Sequence, residues 1–258
     1  MTALNNKIFN HCRITEGMDV FKDVKKSLSA GKNINIIFIG DSITSAEWVH
    51  PNWRDIIEYV LKEELTKSLG SENWKIPSWG IRCFNYGFDG STTTDILDMM
   101  NSRILSLDPD IAIYLINTND MHIGIKKEDF KDQVQQIIDR LSTKCSHIIL
   151  ANRLPGNDSK YNEEYKKLDV INSIKSKKVT FVNMYEAFSR YDLDKFFTFK
   201  CSGNQLLGIP PGGIDFVHPN QLGNAYIAKI ILEKGFGISF DPELFIESTS
   251  RGEMYPRY

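Results

Sequence analysis

Short strand-like runs alternating with longer helix-like stretches constrain this chain more than any other feature. The runs fall at 34–40, 82–86, 111–116, 147–151 and 179–183. Between them, apolar residues recur at the three- and four-residue spacing of amphipathic helices, as in Trp53, Ile56, Ile57, Val60, Leu61 and Leu65 over about 52–69. Further helical stretches are marked by Ile96, Leu97, Met100, Ile104 and Leu105, and by Phe130, Val134, Ile137, Ile138 and Leu141. Met18, Phe21, Val24 and Leu28, with Gly31 as a stop, mark a helix ahead of the first strand. This alternation predicts a three-layer α/β/α fold, with a central parallel sheet of about five strands covered on both faces through right-handed crossovers.

The 258 residues show no internal repeat, low-complexity linker or break in composition, so one domain spanning 1–258 is expected. Residues 1–15 read as a polar lead-in, 70–77 as a loop, and 161–176 as a helix. Pro219 is expected in the first turn of the last helix, and 235–258 reads as an irregular tail. Net charge is −2, which gives no reason to expect nucleic acid as a partner. No apolar run approaches the ~20 residues that span a bilayer, and the first residues lack a secretory core, so a cytoplasmic protein is expected. Cys12, Cys83, Cys145 and Cys201 are scattered, without a Cys-x-x-Cys pair, and are expected as reduced thiols.

Open α/β sheets build their sites at the carboxyl ends of strands. Three clusters stand at such ends: Gly40-Asp41-Ser42 after the first strand, Gly87-Phe88-Asp89-Gly90 after the second, and Asn119-Asp120 after the third. A fourth, Asp215-Phe216-Val217-His218, precedes the last helix. A serine hydroxyl is too weakly acidic to attack an ester unaided, and needs a base that is itself oriented. Ser42 is the candidate nucleophile, His218 the base and Asp215 the group that holds the far ring nitrogen. The tetrahedral intermediate needs hydrogen-bond donors, which the Ser42 N–H, the Gly90 N–H and the Asn119 amide can supply. Asp41 and Asp120 read as residues that fix their turns by bonds to backbone. Trp48, His50, His122 and Arg153 are candidate substrate contacts, Arg153 toward an acidic group and Trp48, with Trp53, as an aromatic wall.

Taken in order, these blocks resemble the SGNH hydrolase superfamily, the GDSL esterases and lipases. Phe38-Ile-Gly-Asp-Ser-Ile-Thr44 is close to the first family block, and Asn85-Tyr-Gly-Phe-Asp-Gly-Ser-Thr-Thr93 looks like Asn-x-Gly-x-x-Gly-x-Thr-Thr. Asp215-Phe-Val-His218-Pro-Asn-x-x-Gly223 is similar to the last. The third block departs, with Asn117 where the family has the glycine of Gly-x-Asn-Asp. The resemblance implies a serine esterase working through an acyl-enzyme, with no cofactor and no metal. The substrate expected is a small acyl ester, O-acetyl on a carbohydrate. A lipid acyl hydrolase or thioesterase, a sugar O-acyltransferase, and a carbohydrate-binding module without chemistry share the fold. The chain carries no Gly-x-Ser-x-Gly elbow, Walker loop or His-Glu-x-x-His to anchor another reading.

Overall fold

The five strands form one parallel sheet in the order β2-β1-β3-β4-β5. They are β1 (Ile34–Gly40), β2 (Ile81–Gly87), β3 (Ile111–Leu115), β4 (His147–Ala151) and β5 (Val179–Val182). The structure is a computed structural model that describes residues 19–45, 47–116 and 118–258. Helices precede and connect the strands: α1 (Val20–Ser29), α2 (Trp53–Leu69), α3 (Lys75–Gly80), α4 (Thr93–Met99), α5 (Lys127–Leu141), α6 (Ser159–Leu168) and α7 (Met184–Phe188). After β5 and α7 come α8 (Gln221–Ile231) and α9 (Pro242–Ser250).

Strand side chains alternate between faces, and here both faces are buried. Ile36 and Phe38 of β1 pack with residues of α1, α2 and α8, whereas Ile37 and Ile39 pack with residues of α4 and α5. That double burial is why the sequence shows continuous apolar runs rather than a polar–apolar alternation. Helix starts are fixed locally. Asn52 and Asp55 form a reciprocal capping box at α2, and Thr92 and Asp95 another at α4. The strand order reverses between β1 and β3, which start their crossovers in opposite directions and leave a crevice at their carboxyl ends. Among the described residues no helix is long and apolar enough to cross a membrane.

Four sequence expectations need correction. The segment 235–258 is not an irregular tail. Asp241 accepts from the Glu243 and Leu244 N–H groups with Pro242 in the first turn, and Phe236, Ile238, Phe240 and Phe245 are buried. Each fully buried phenylalanine contributes about 1.5–3 kcal/mol, ample to hold a nine-residue helix on the body. The loop at 70–77 gives way to a 3₁₀ turn (Ser71–Asn73) and α3, with Trp74 just ahead of α3 and Trp79 within it both exposed. The helix expected over 161–176 stops at Leu168, because Val170, Ile171 and Ile174 turn inward through a 3₁₀ segment. Pro219 lies ahead of the cap, Asn220, rather than inside the first turn of α8. Met18, Cys12 and the lead-in at 1–15 lie outside the described residues, as does Asn117.

Candidate active site

Ser42 sits in a turn that is pinned from three sides. Asp41 closes it from within, its carbonyl accepting from the Thr44 and Ser45 N–H groups and its Oδ1 from the Ile43 N–H at 3.1 Å. Asp41 Oδ2 accepts from the Thr118 N–H at 2.8 Å and hydroxyl at 2.9 Å, tying the end of β1 to the segment after β3. From the third side, the Trp53 indole N–H donates to the Ile43 carbonyl at 3.1 Å, while Asn52 Nδ2 donates to the carbonyls of Ile43 and Ser45. The Arg54 guanidinium donates to the Thr44 carbonyl. Trp53 is therefore a core residue that braces the serine turn rather than a substrate wall.

Gly87 is needed where β2 runs beside this turn. A Cβ there would stand 2.4 Å from the Thr44 carbonyl carbon and 2.6 Å from the Ser45 nitrogen, both backbone atoms that cannot yield. Gly87→Ala is expected to cost about 1–3 kcal/mol as an overpacked site, lowering the melting temperature by about 2–4 °C for each kcal/mol. Thermal denaturation followed by circular dichroism measures it, and a variant as stable as the parent would show that the turn can shift at no cost.

His218 arrives on a separate loop. The Asp215 N–H donates to the Phe199 carbonyl at 2.8 Å, and the Asn157 N–H to the Phe216 carbonyl at 2.8 Å. Asp215 Oδ1 accepts from the Val217 and His218 N–H groups at 2.8 and 3.0 Å, so this carboxylate shapes its own loop. Its Oδ2 is 2.7 Å from His218 Nδ1, and His218 Nε2 is 2.8 Å from Ser42 Oγ. All three side chains are buried. Burial alone would raise the Asp215 carboxyl, but the hydrogen bond from the imidazole, the His218 charge and the two backbone N–H groups together hold it below the usual carboxylate range.

Gly90 lies in a turn after β2 with φ of +73°, a backbone conformation that glycine adopts without strain. The turn closes through the Ser91 N–H on the Phe88 carbonyl, and Ser91 Oγ donates to the Gly40 carbonyl at 3.1 Å, which holds it beside the serine turn. Asn119 Nδ2 donates to the Ser91 carbonyl at 3.0 Å. One hydrogen of that amide is thus used to orient it, and among the described residues the other meets no acceptor. Among the described residues, the N–H groups of Ser42 and Gly90 have no acceptor. Asp120 accepts from the Thr93 N–H and, at 2.6 Å, from the Thr93 hydroxyl, locking the start of α4 to the end of β3. Burial pushes its carboxyl up, against those hydrogen bonds and aided by the charge of Asp41.

The four candidate substrate contacts part company. Trp48 lies on the imidazole of His218. His122, half-buried, lines a hollow of about 240 Å³ with Met121, Tyr161, Leu206, Leu207 and Phe216. Burial and the charge of Arg153 hold the His122 ring below the usual histidine value. His50 does not join them: its side chain is exposed, 3.3 Å from Asp55, in a separate hollow with residues of α8 and α9. Arg153 does not sit in a surface ion pair. It is 2 % exposed, its guanidinium 4.2 Å from the Tyr161 ring and 4.4 Å from the Tyr165 ring. The spacing of Tyr161 and Tyr165, four residues apart on α6, was the available signal for that clamp.

Sequence reasoning also passed over Asp89, whose carboxylate bonds both Ser45 and Trp48. Cys83, Cys145 and Cys201 are free thiols, and burial pushes the Cys145 thiol up to about 12. Among the described residues no group of three or more His, Cys, Asp or Glu is arranged to hold a metal ion.

The family model described as the GDSL-like Lipase/Acylhydrolase family matches residues 38–226. No curated protein matches the chain. Among solved structures, the acetyl xylan esterase AlAXEase is similar with a TM-score of 0.56 at 18 % identity, covering 78 % of this chain and 98 % of that one. A lipase/acylhydrolase from Enterococcus faecalis is similar with a TM-score of 0.55 at 20 % identity, covering 79 % and 96 %. Axe2, an acetylxylan esterase from Geobacillus stearothermophilus, has a TM-score of 0.54 at 18 % identity, covering 81 % and 96 %. At these identities the likeness is one of fold.

Proposed function

The chain belongs to the GDSL-like lipase/acylhydrolase family and is an ester hydrolase, and we propose that it removes small acyl groups, acetyl above all, from a hydroxyl-rich carbohydrate. The observation that carries the reading is the unbroken chain of contacts from Ser42 Oγ through the His218 ring to Asp215, at 2.8 and 2.7 Å. Ser42 Oγ attacks the ester carbonyl and its proton passes to His218 Nε2. Asp215 holds Nδ1–H and supports the imidazolium that forms. The carbonyl π electrons move onto oxygen, where the N–H groups of Ser42 and Gly90 and the free hydrogen of the Asn119 amide meet the charge. Collapse expels the alcohol, which takes the proton from Nε2. Water then repeats the sequence on the acyl-enzyme and frees the carboxylic acid.

Support for the carbohydrate comes from the hollow lined by His122. Its walls come from segments adjoining the site: Met121 and His122 follow Asn119, and Phe216 lies between Asp215 and His218. It sets aromatic faces, Tyr161 and Phe216, beside hydrogen-bonding side chains, Asp158, Lys160 and Glu164. That mixture suits a sugar, which presents C–H faces and hydroxyls together, better than an alkyl chain. Two of the structures with similar folds are acetyl xylan esterases, which points the same way. The experiment is a series of p-nitrophenyl acetate, butyrate and octanoate. kcat/KM is expected to fall with each lengthening by about tenfold or more, the scale of discrimination a tight pocket reaches for added methylenes. A rise toward octanoate would replace the carbohydrate reading with a lipid one, with Leu206 and Leu207 as its contacts.

A further inference from the structure

We propose that Trp48 is a positioning residue for His218, whose indole face stabilises the imidazolium formed during attack. The proposal rests on reading His218 as the general base. The indole and imidazole rings are nearly parallel, 3° apart, with centroids separated by 4.0 Å. Core burial does not explain this placement, since Trp48 remains 42 % exposed. A specific anchor does. Trp48 Nε1–H donates to Asp89 Oδ2 at 2.8 Å, and Asp89 Oδ1 accepts from the Ser45 hydroxyl at 2.6 Å. Ser45 belongs to the turn that carries Ser42, so one local unit delivers the nucleophile and also places the aromatic cover of its base.

The physical consequence follows from charge. Against a neutral imidazole the stack gains dispersion and limits ring rotation. Once Nε2 has taken the serine proton, the same geometry places a cation on an indole face, the aromatic ring most favourable to it. The contact is stronger after proton transfer than before, which is the condition for an interaction to lower the barrier rather than only to bind. A wall for the substrate, the role expected for Trp48 from sequence, would require neither parallel rings nor an anchored indole N–H.

The charged groups tied to the stacked pair are Asp215, on the far ring nitrogen of His218, and Asp89, on the indole N–H. Both remain in variants at position 48. Trp48→Leu keeps an apolar cover over the ring and removes the π face, while Trp48→Phe keeps a smaller one. In Trp48→Leu, kcat is expected to fall about tenfold and the acid limb of kcat/KM to move about one unit to lower pH, between the sizes of an exposed and a desolvated cation–π contact. The sign follows because a less stabilised imidazolium leaves the base neutral to lower pH. Trp48→Phe is expected between Leu and wild type. A raised KM with unchanged kcat and an unmoved acid limb would overturn the proposal.

A second readout needs no turnover. An imidazolium in contact with an indole quenches its emission, so the difference in fluorescence between wild type and Trp48→Phe is expected to drop on acidification. The same should hold in a Ser42→Ala background. A difference that does not titrate would also overturn the proposal. If p-nitrophenyl esters are not hydrolysed while the fluorescence titrates, the stack stands and it is the catalytic reading that fails.

Discussion

Replacing Ser42 by alanine is expected to lower kcat for ester hydrolysis by about five to six orders of magnitude, the scale on which serine hydrolases lose rate with their nucleophile. The residue left behind still has its oxyanion donors and binding walls, and in such enzymes those sustain about 10³–10⁴-fold over water. The substitution removes a single oxygen whose partner is His218 Nε2 at 2.8 Å, and it leaves Asp41 and the α2 brace of the turn intact. Loss of activity should therefore come without loss of fold. Parallel kinetics and thermal denaturation of the purified variant separate the two. Retained turnover would exclude Ser42 as nucleophile, and an unfolded variant would show that the hydroxyl holds the turn.

Asp215→Asn is expected to lower kcat by about 10⁴, with the loop intact. An asparagine Oδ1 can still accept from the Val217 and His218 N–H groups that Asp215 Oδ1 serves at 2.8 and 3.0 Å. What changes is the group facing Nδ1. An amide N–H there favours the tautomer with its proton on Nε2, which cannot take a proton from Ser42. Stability should respond in a pH-dependent way. The Asp215 carboxyl is depressed in the folded protein, so its contribution is fully present above the ordinary value of 3.8 and is lost as pH falls through the lower folded value. Wild type is expected to exceed Asp215→Asn in stability at pH 7, the gap to begin closing as pH falls below 3.8, and the two to converge once pH is below the depressed folded value. Urea midpoints at several pH values measure this. A gap that widens in acid would mean that the carboxylate is not held in its charged form.

The parts of this architecture set by local pattern could be read in advance. The runs at 34–40 and 147–151 coincide with β1 and β4, since buried parallel strands leave a continuous apolar signature. The catalytic candidates were legible for a related reason: a turn at a strand's end has to be written in glycine, aspartate and serine, and each strand end is a fixed address in a parallel sheet. Asp41 bonds backbone within its own turn as expected, whereas the Asp120 carboxylate bonds Thr93 at the start of α4 and so ties two segments together.

Tertiary partnerships left no such trace. Nothing in the neighbourhood of Trp48 indicates that it will lie on a histidine 170 positions later, because that stack depends on how two loops meet. Arg153, expected toward an acidic substrate group, is buried instead, and the two tyrosine faces that make its burial tolerable come from α6, out of reach of any local pattern. The α9 helix was overlooked although its start carries Asp241-Pro242, a cap and a first-turn proline. The helix is short, and its stability comes from phenylalanines that fill space on the body rather than from its own periodicity.

The central claim is that Ser42 is a nucleophile activated by His218. Labelling the intact protein with a fluorophosphonate, followed by mass spectrometry of its peptides, tests it without any assumption about the natural ester. A single covalent adduct is expected on the peptide containing Ser42, absent from Ser42→Ala and formed far more slowly in His218→Ala. An adduct on another residue, or labelling of Ser42 at an equal rate without His218, would contradict it.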